Sequence, residues 1–252
     1  MNAQHGSKVI FSVFRYSPKS GPPASFQRFE VPYRPDMVVL DALNYVKDHL
    51  DGSLTFRWSC RMGICGSCGA MVDGKPRLTC AAFLKDLKSA DGVVTIEPLA
   101  YFPVIKDLVI DMSDFMEKLR KIEPWIVRDE TRGPEAGEYL QTPQQVEAYK
   151  QQSMCINCML CYSACPVYGL DPDFVGPAAS ALLYRYIMDS RNQGGKEKFG
   201  LVTGKSGVWD CTFVGQCTAV CPKNVDPAFA IQRLKILGAT EAFKSILMPG
   251  LK

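Results

Sequence analysis

The chain has 252 residues, 47% of them hydrophobic, which is enough apolar material for one large domain or two ordinary ones. Its 29 basic and 26 acidic residues are well mixed and leave a net charge of +3, so no partner made of nucleic acid is indicated. Eleven cysteines are an odd number and too sparse for a disulfide scaffold, and with no secretion signal a reducing compartment is expected, where thiolates persist and bind metal.

The opening MNAQHGSKVIF has neither a charged region followed by an apolar run nor an Arg- and Ser-rich transit pattern. No stretch approaches the roughly 18 apolar residues that span a bilayer, so the chain is expected to be soluble or to reach a membrane only through a partner. Residues 7–16 and 26–32, rich in β-branched and aromatic residues, predict a hairpin across the SPKSGPPAS turn. Residues 39–50 carry apolar residues at helical period, with Asp36 as the expected cap and His49 as a surface residue near the C-terminal end. Strands are expected near 69–73 and 93–97. Residues 1–112 therefore read as a small mixed sheet with one helix.

After about residue 112 the character changes. SDFMEKLRKI, TPQQVEAYKQQS, GPAASALLYRYIMDS and DPAFAIQRLKIL all read as helices, the second with Thr142 as cap and Pro143 at its first position. Residues 128–141 read as a charged surface loop, and Lys196 and Lys198 as solvated helix faces. The fold class is α+β: a sheet-bearing domain over 1–112, then a mostly helical domain over 113–252.

The cysteines fall into three groups. Cys60, Cys65, Cys68 and Cys80 follow C-x4-C-x2-C-x11-C, the spacing of a plant-type 2Fe-2S site. Three close ligands demand a tight loop, for which Gly63, Gly66 and Gly69 supply permissive backbone, and the exposed N–H groups of such a loop can donate to sulfur. Zinc is the competing reading, although zinc sites more often use paired C-x2-C units. Cys155, Cys158, Cys161 and Cys165, followed by Pro166, form the C-x2-C-x2-C-x3-C-P run, whose fourth cysteine serves a second cluster. By that crossing rule Cys155, Cys158, Cys161 and Cys221 hold a 4Fe-4S cluster, and Cys165, Cys211 and Cys217 hold another centre. A complete third run would carry a cysteine at position 214; Val214 cannot hold iron, so a 3Fe-4S centre is expected, the alternative being a 4Fe-4S cluster with a non-cysteine ligand. The only two histidines, His5 and His49, lie away from these motifs, which argues against a Rieske centre or an axial haem ligand.

The segments FRWSCRMGICGSCGAMVDGKPRLTC, SMCINCMLCYSACPVYGLDP and WDCTFVGQCTAVCPKNVDP, in this order, resemble the iron–sulfur subunit of the succinate dehydrogenase and fumarate reductase family over nearly the whole chain. The resemblance implies a plant-ferredoxin-like (β-grasp) N-terminal domain and a bacterial-ferredoxin-like helical domain. It implies a flavoprotein partner with covalent FAD and a membrane anchor helping to form a quinone site. The chain would then relay electrons between flavin and quinone from the cytoplasmic face of a prokaryotic plasma membrane. Where many succinate dehydrogenases carry a Trp pair, this chain has Gly169 and Leu170, and where they carry His it has Thr212. These departures favour the fumarate reductase branch and menaquinone.

The matching quinone-site candidates are Pro166, Trp209, Phe213, Gln232 and Lys235. Four of them have a plainer reading. Pro166 stops a helix, Trp209 and Phe213 exclude water from a cluster, and Lys235 is an ordinary exposed lysine. Arg57 and Arg61, flanking Cys60, either favour the reduced cluster, meet the flavoprotein or form surface ion pairs. Competing identities are the iron–sulfur subunit of a glycolate, glycerol phosphate or heterodisulfide enzyme, which generally lacks the Cys60–Cys80 motif, and a free ferredoxin.

Overall fold

A computed structural model describes residues 8–18, 23–87, 92–128, 133–194, 198–200 and 203–247. The chain divides into two units, Met1–Met112 with Ile156–Ala164, and Ser113–Cys155 with Cys165–Lys252.

In the first unit, β1 (Lys8–Arg15) pairs antiparallel with β2 (Ser25–Pro32) from Lys8 opposite Pro32 to Arg15 opposite Ser25. With β3 (Gly69–Val72), β4 (Lys75–Leu78) and β5 (Val93–Glu97) they form a mixed sheet in the order β2-β1-β5-β3-β4. Only β1 and β5 are parallel, a pairing that requires a crossover between them. The helix Val39–Tyr45 and the π-helical turn Val46–Leu50 lie in that crossover and bury Val39, Ala42, Leu43 and Val46 in one core with Phe11, Val13, Val31, Val72 and Ile96.

Strand β4 was not anticipated, although its signal is present: Asp73 and Gly74 both have positive φ (48° and 70°), the two-residue turn that Asp-Gly favours between antiparallel strands. The expected cap, Asp36, is exposed and faces Arg34 at 3.6 Å. Val38 is extended and bridges to Phe83, so the helix starts beyond the reach of Asp36, and Asp41 takes the role by accepting from the Val38 N–H (3.1 Å). His49 is exposed and stacks on Tyr45 at 4.5 Å between centroids.

Asp107, buried in the turn between β6 (Val104–Lys106) and β7 (Val109–Ile110), joins three parts of this unit. Its carboxylate accepts from Arg15 Nε (3.1 Å), the Tyr16 N–H (3.0 Å) and the Thr55 N–H (2.9 Å). Arg15 also donates to Asp51 (2.6 Å) and Ser53 (2.7 Å), and Ser53, then Arg15, hold the Asp51 carboxyl well below the usual carboxylate range.

The second unit is helical, and the α+β reading is borne out. Ser113–Lys121, Pro177–Met188 and Pro227–Leu247 are its longer helices. The second and third pack together, with Tyr184 and Phe229 edge to face at 6.0 Å between centroids, and they bury Ala178, Ala179, Ala181, Ala230, Ile231 and Leu234. Thr142 caps the helix Pro143–Glu147, with its hydroxyl accepting from the Gln145 N–H (3.3 Å) and Gln145 Oε1 accepting from the Thr142 N–H (2.7 Å). The single helix expected over TPQQVEAYKQQS is interrupted at Ala148 and Tyr149, and a second short helix follows, Lys150–Ser153. Described parts of the 128–141 loop are mostly exposed, although Gln141 donates to the buried Asp189 (3.1 Å).

Lys198 contradicts the solvated-lysine expectation. It is 1% exposed, and its ammonium donates to the carbonyls of Glu123 and Trp125 and lies 5.3 Å and 5.4 Å from the ring centroids of Trp125 and Tyr186. Loss of hydration lowers its pKa. Lys196 lies outside the described residues. Among the described residues no helix is long and apolar enough to cross a membrane.

Asp107→Ala leaves two backbone donors and the Arg15 guanidinium short of an acceptor. It is expected to destabilise the first unit by about 3 kcal/mol, read as a lower thermal unfolding midpoint of the cluster-loaded chain; an unchanged midpoint would show that the three-way junction contributes nothing.

Candidate metal centres

The loop carrying Cys60, Cys65 and Cys68 turns through left-handed backbone at Arg61, Gly63 and Gly66 (φ 59°, 67° and 74°). These turns aim the N–H groups of Met62, Ile64 and Cys65 at Cys60 Sγ, at 3.4, 3.3 and 3.3 Å. Three donors stabilise the thiolate, and the Cys60 thiol falls to about 6. Cys80 behaves oppositely: burial, then its hydrogen bond with Cys68, pushes it up to about 11. The side-chain interactions linking Cys60 with Cys65, and Cys80 with Cys68 and Cys60, bring all four sulfurs into one neighbourhood.

Ten of the eleven residues between Cys68 and Cys80 are the β3–β4 hairpin, which carries Cys80 back beside Cys68. Buried Thr79 fixes this return, donating from its N–H (3.0 Å) and hydroxyl (3.1 Å) to the Cys68 carbonyl. The Val39 and Leu40 N–H groups donate to the carbonyls of Ala82 and Thr79, tying the residues around Cys80 to the helix start. Arg61 lies over the Trp58 ring at 4.4 Å.

The glycines of the motif divide between two tasks. Gly63 and Gly66 supply positive φ, as expected, but Gly69 lies in β3 and is needed for close approach. A Cβ on Gly69 would meet the Cys158 carbonyl and the Leu160 side chain at 3.2 Å, and one on Gly66 would lie 2.8 Å from the Ile156 carbonyl. The absence of side chains lets 156–160 lie against the first loop, which explains why Ile156–Ala164 belongs to the first unit. Asn157 and Met159 in that segment are themselves left-handed (φ 54° and 63°). Cys158 and Cys161 are each 9% exposed, whereas Cys155 and Cys221, half-buried, belong to the second unit.

Within the second unit, burial pushes the Cys217 thiol up to about 11, with the charges of Cys165 and Cys211 adding to the rise. Burial likewise raises Cys165, and Cys211 adds to that shift, so the three sulfurs are electrostatic neighbours. The Tyr168 N–H donates to Cys165 Sγ (3.5 Å) and the Phe213 N–H to Cys211 Sγ (3.4 Å), the latter from a left-handed Phe213 (φ 59°). Val214, in the place where a fourth cysteine would stand, is exposed.

The quinone candidates take varied environments. Pro166 is exposed, and Trp209 and Phe213 are 47% and 60% exposed. Lys235 is half-buried and donates to the Cys211 carbonyl (2.8 Å), a contact that neither reading of this lysine included. Gln232 Nε2 is shielded from solvent and has no hydrogen-bond partner among the described residues. Residues that sequence reasoning passed over are Thr79, whose neighbourhood to Cys80 was its sole signal, and Tyr168, which had none.

Among the described residues no group of three or more His, Cys, Asp or Glu side chains is arranged to hold a single metal ion. Thiolates around a cluster stand further apart than those around one zinc, because they are shared among several irons. Gathered thiols, sulfur-directed N–H groups and partial burial fit such clusters, and with the two-part fold they define an iron–sulfur electron-transfer protein.

A family model described as a 2Fe-2S iron–sulfur cluster binding domain matches residues 10–117, and one described as a 4Fe-4S dicluster domain matches 151–225. A fumarate reductase iron–sulfur subunit of Mycobacterium tuberculosis is 55% identical over 96% of this chain and 97% of its own length. The mitochondrial succinate dehydrogenase [ubiquinone] iron–sulfur subunit 1 of Oryza sativa is 37% identical over 90% of this chain and 81% of its own. A chain from the Mycobacterium smegmatis Sdh1 complex in the apo form superposes with a TM-score of 0.85 at 27% identity, covering 95% of this chain and 99% of that one. The chain belongs to the family of fumarate reductase and succinate dehydrogenase iron–sulfur subunits, and its work is electron transfer within an oxidoreductase complex.

In the cluster-free chain iodoacetamide should modify Cys60 with a half-maximal rate near pH 6, and Cys80 only towards pH 11. Peptide mapping by mass spectrometry across a pH series checks both values; a half-maximal rate for Cys60 near pH 9, the ordinary thiol value, would show that the three N–H donors do not govern it.

Proposed function

We propose that this chain relays electrons between the FAD of a flavoprotein partner and a membrane quinone through three centres. Cys60, Cys65, Cys68 and Cys80 hold the 2Fe-2S cluster, Cys155, Cys158, Cys161 and Cys221 the 4Fe-4S cluster, and Cys165, Cys211 and Cys217 the 3Fe-4S cluster. The observation that carries this reading is the neighbourhood of Cys165, Cys211 and Cys217, with Val214 standing three residues after Cys211 in the chain. Three thiols and an apolar fourth position suit a cluster lacking one iron.

The clusters, when bound, supply one-electron carriers; the protein supplies ligands, donors and shielding. The Met62, Ile64 and Cys65 N–H groups offset negative charge on Cys60, and those of Tyr168 and Phe213 do so on Cys165 and Cys211. Dicarboxylate chemistry belongs to the flavoprotein. Anchor subunits hold the chain peripherally on the cytoplasmic face of a prokaryotic plasma membrane. The quinone, menaquinone on this reading, is bounded by Pro166, Trp209, Phe213, Gln232 and Lys235. The unpartnered Gln232 amide supports this, being a donor free for a quinone oxygen, and Lys235 beside Cys211 brings a positive charge next to the electron donor.

The purified complex is expected to give a 3Fe-type EPR signal as isolated, lost on reduction with succinate, with 2Fe-2S and 4Fe-4S signals appearing after dithionite. Val214→Cys should supply the missing ligand and abolish the 3Fe signal. Persistence of an unaltered 3Fe signal in that variant would separate position 214 from the third centre, and no 3Fe signal in the parent under any poise would overturn the ligand assignment.

A further inference from the structure

Tyr168 lies three residues after Cys165 and is 2% exposed. Its hydroxyl donates to Asp114 Oδ2 at 2.7 Å, and Lys118 donates to the other oxygen of the same carboxylate. The Lys118 side chain is 9% exposed, and its ammonium lies 5.5 Å from the Tyr168 ring centroid. The backbone N–H of the same Tyr168 donates to Cys165 Sγ. One residue thus bonds to a sulfur through its backbone and to a compensated charge pair through its side chain, all within the second unit.

We propose that Lys118, Asp114 and Tyr168 form a positioning device that sets the reduction potential of the centre ligated by Cys165. This rests on the assignment of Cys165 to the third centre. Two effects operate. The phenol–carboxylate bond fixes Tyr168, and with it the N–H donor that offsets charge on Cys165 Sγ; a hydrogen bond to a ligating sulfur favours the reduced form. The ion pair also keeps the local charge near zero. An electron passed to the centre from the adjacent cluster adds one negative charge without making or breaking a bond, so an unpaired carboxylate nearby opposes its arrival and an unpaired ammonium assists it.

The two halves of the pair therefore have opposite signs. Lys118→Met leaves the Asp114 carboxylate uncompensated and should lower the potential. Asp114→Asn leaves the Lys118 charge and should raise it. Tyr168→Phe keeps the ring but loses its tether to Asp114, and should lower the potential by loosening the N–H···S bond. A purely structural role would not move the potential in opposite directions for two partners of one ion pair.

The test is an EPR redox titration of the purified complex carrying each variant, with the signals of the other two centres as internal controls. At the parent midpoint, about a three- to tenfold change in the reduced-to-oxidised ratio of the third centre is expected, decreasing in Lys118→Met and increasing in Asp114→Asn. Tenfold corresponds to about 59 mV for one electron. Lys118→Arg should restore the parent ratio. Should Tyr168→Phe lose the centre, the two charge variants still carry the test. Parent potentials in both charge variants, or shifts of the same sign, would overturn the proposal. Absence of a 3Fe signal in the parent would instead overturn the underlying ligand assignment.

Discussion

A cysteine sulfur that shares charge with iron needs positive partners close by, and here the backbone supplies them. Only left-handed turns let several successive N–H groups face one sulfur, and such turns recur through the cysteine segments at Arg61, Gly63, Gly66, Asn157, Met159 and Phe213. The non-glycine residues among them each hold a conformation that L side chains disfavour by roughly 1 kcal/mol or more. That strain is sustained only where surrounding structure holds the loop. Much of the remaining architecture can be understood as doing so.

In the first unit the holding is done by a sheet and by polar clamps. The β3–β4 hairpin returns Cys80 beside Cys68, Thr79 bonds the two ends together, and the helix start at Val39 and Leu40 anchors the residues that follow. Asp107 and Arg15 tie the end of β1 to the 51–55 loop. In the second unit helices do the equivalent work: Lys235, from the helix Pro227–Leu247, holds the Cys211 carbonyl, and Asp114, from the helix Ser113–Lys121, holds Tyr168 behind Cys165. The same backbone chemistry at sulfur is thus served by two kinds of scaffold.

Opposite thiol behaviour within one site follows from this arrangement. Cys60 lies where N–H donors dominate and falls to about 6, while Cys80 and Cys217 lie where loss of water dominates and rise to about 11. Neighbouring thiols of one loop and hairpin therefore differ in the charge they readily carry. Donors and burial are also two of the means by which a protein tunes cluster potential.

Much of this protein was legible in the amino-acid sequence because it depends on local geometry. Cysteine spacing limits which sulfurs can reach a common point, and Pro143, Pro177 and Pro227 mark helix starts because their rings preset the helical φ. Even the missed strand β4 was written in the Asp73-Gly74 pair. Tertiary structure alone decided what depends on burial and on distant neighbours. Lys198 is a buried clamp and not a solvated lysine, Gly69 is small because 158–160 lies against it, and Tyr168 bonds a carboxylate 54 residues earlier in the chain. The physical reason is that spacing fixes which backbone shapes a segment can adopt, whereas the hydration and partners of a side chain are set by whatever else folds against it.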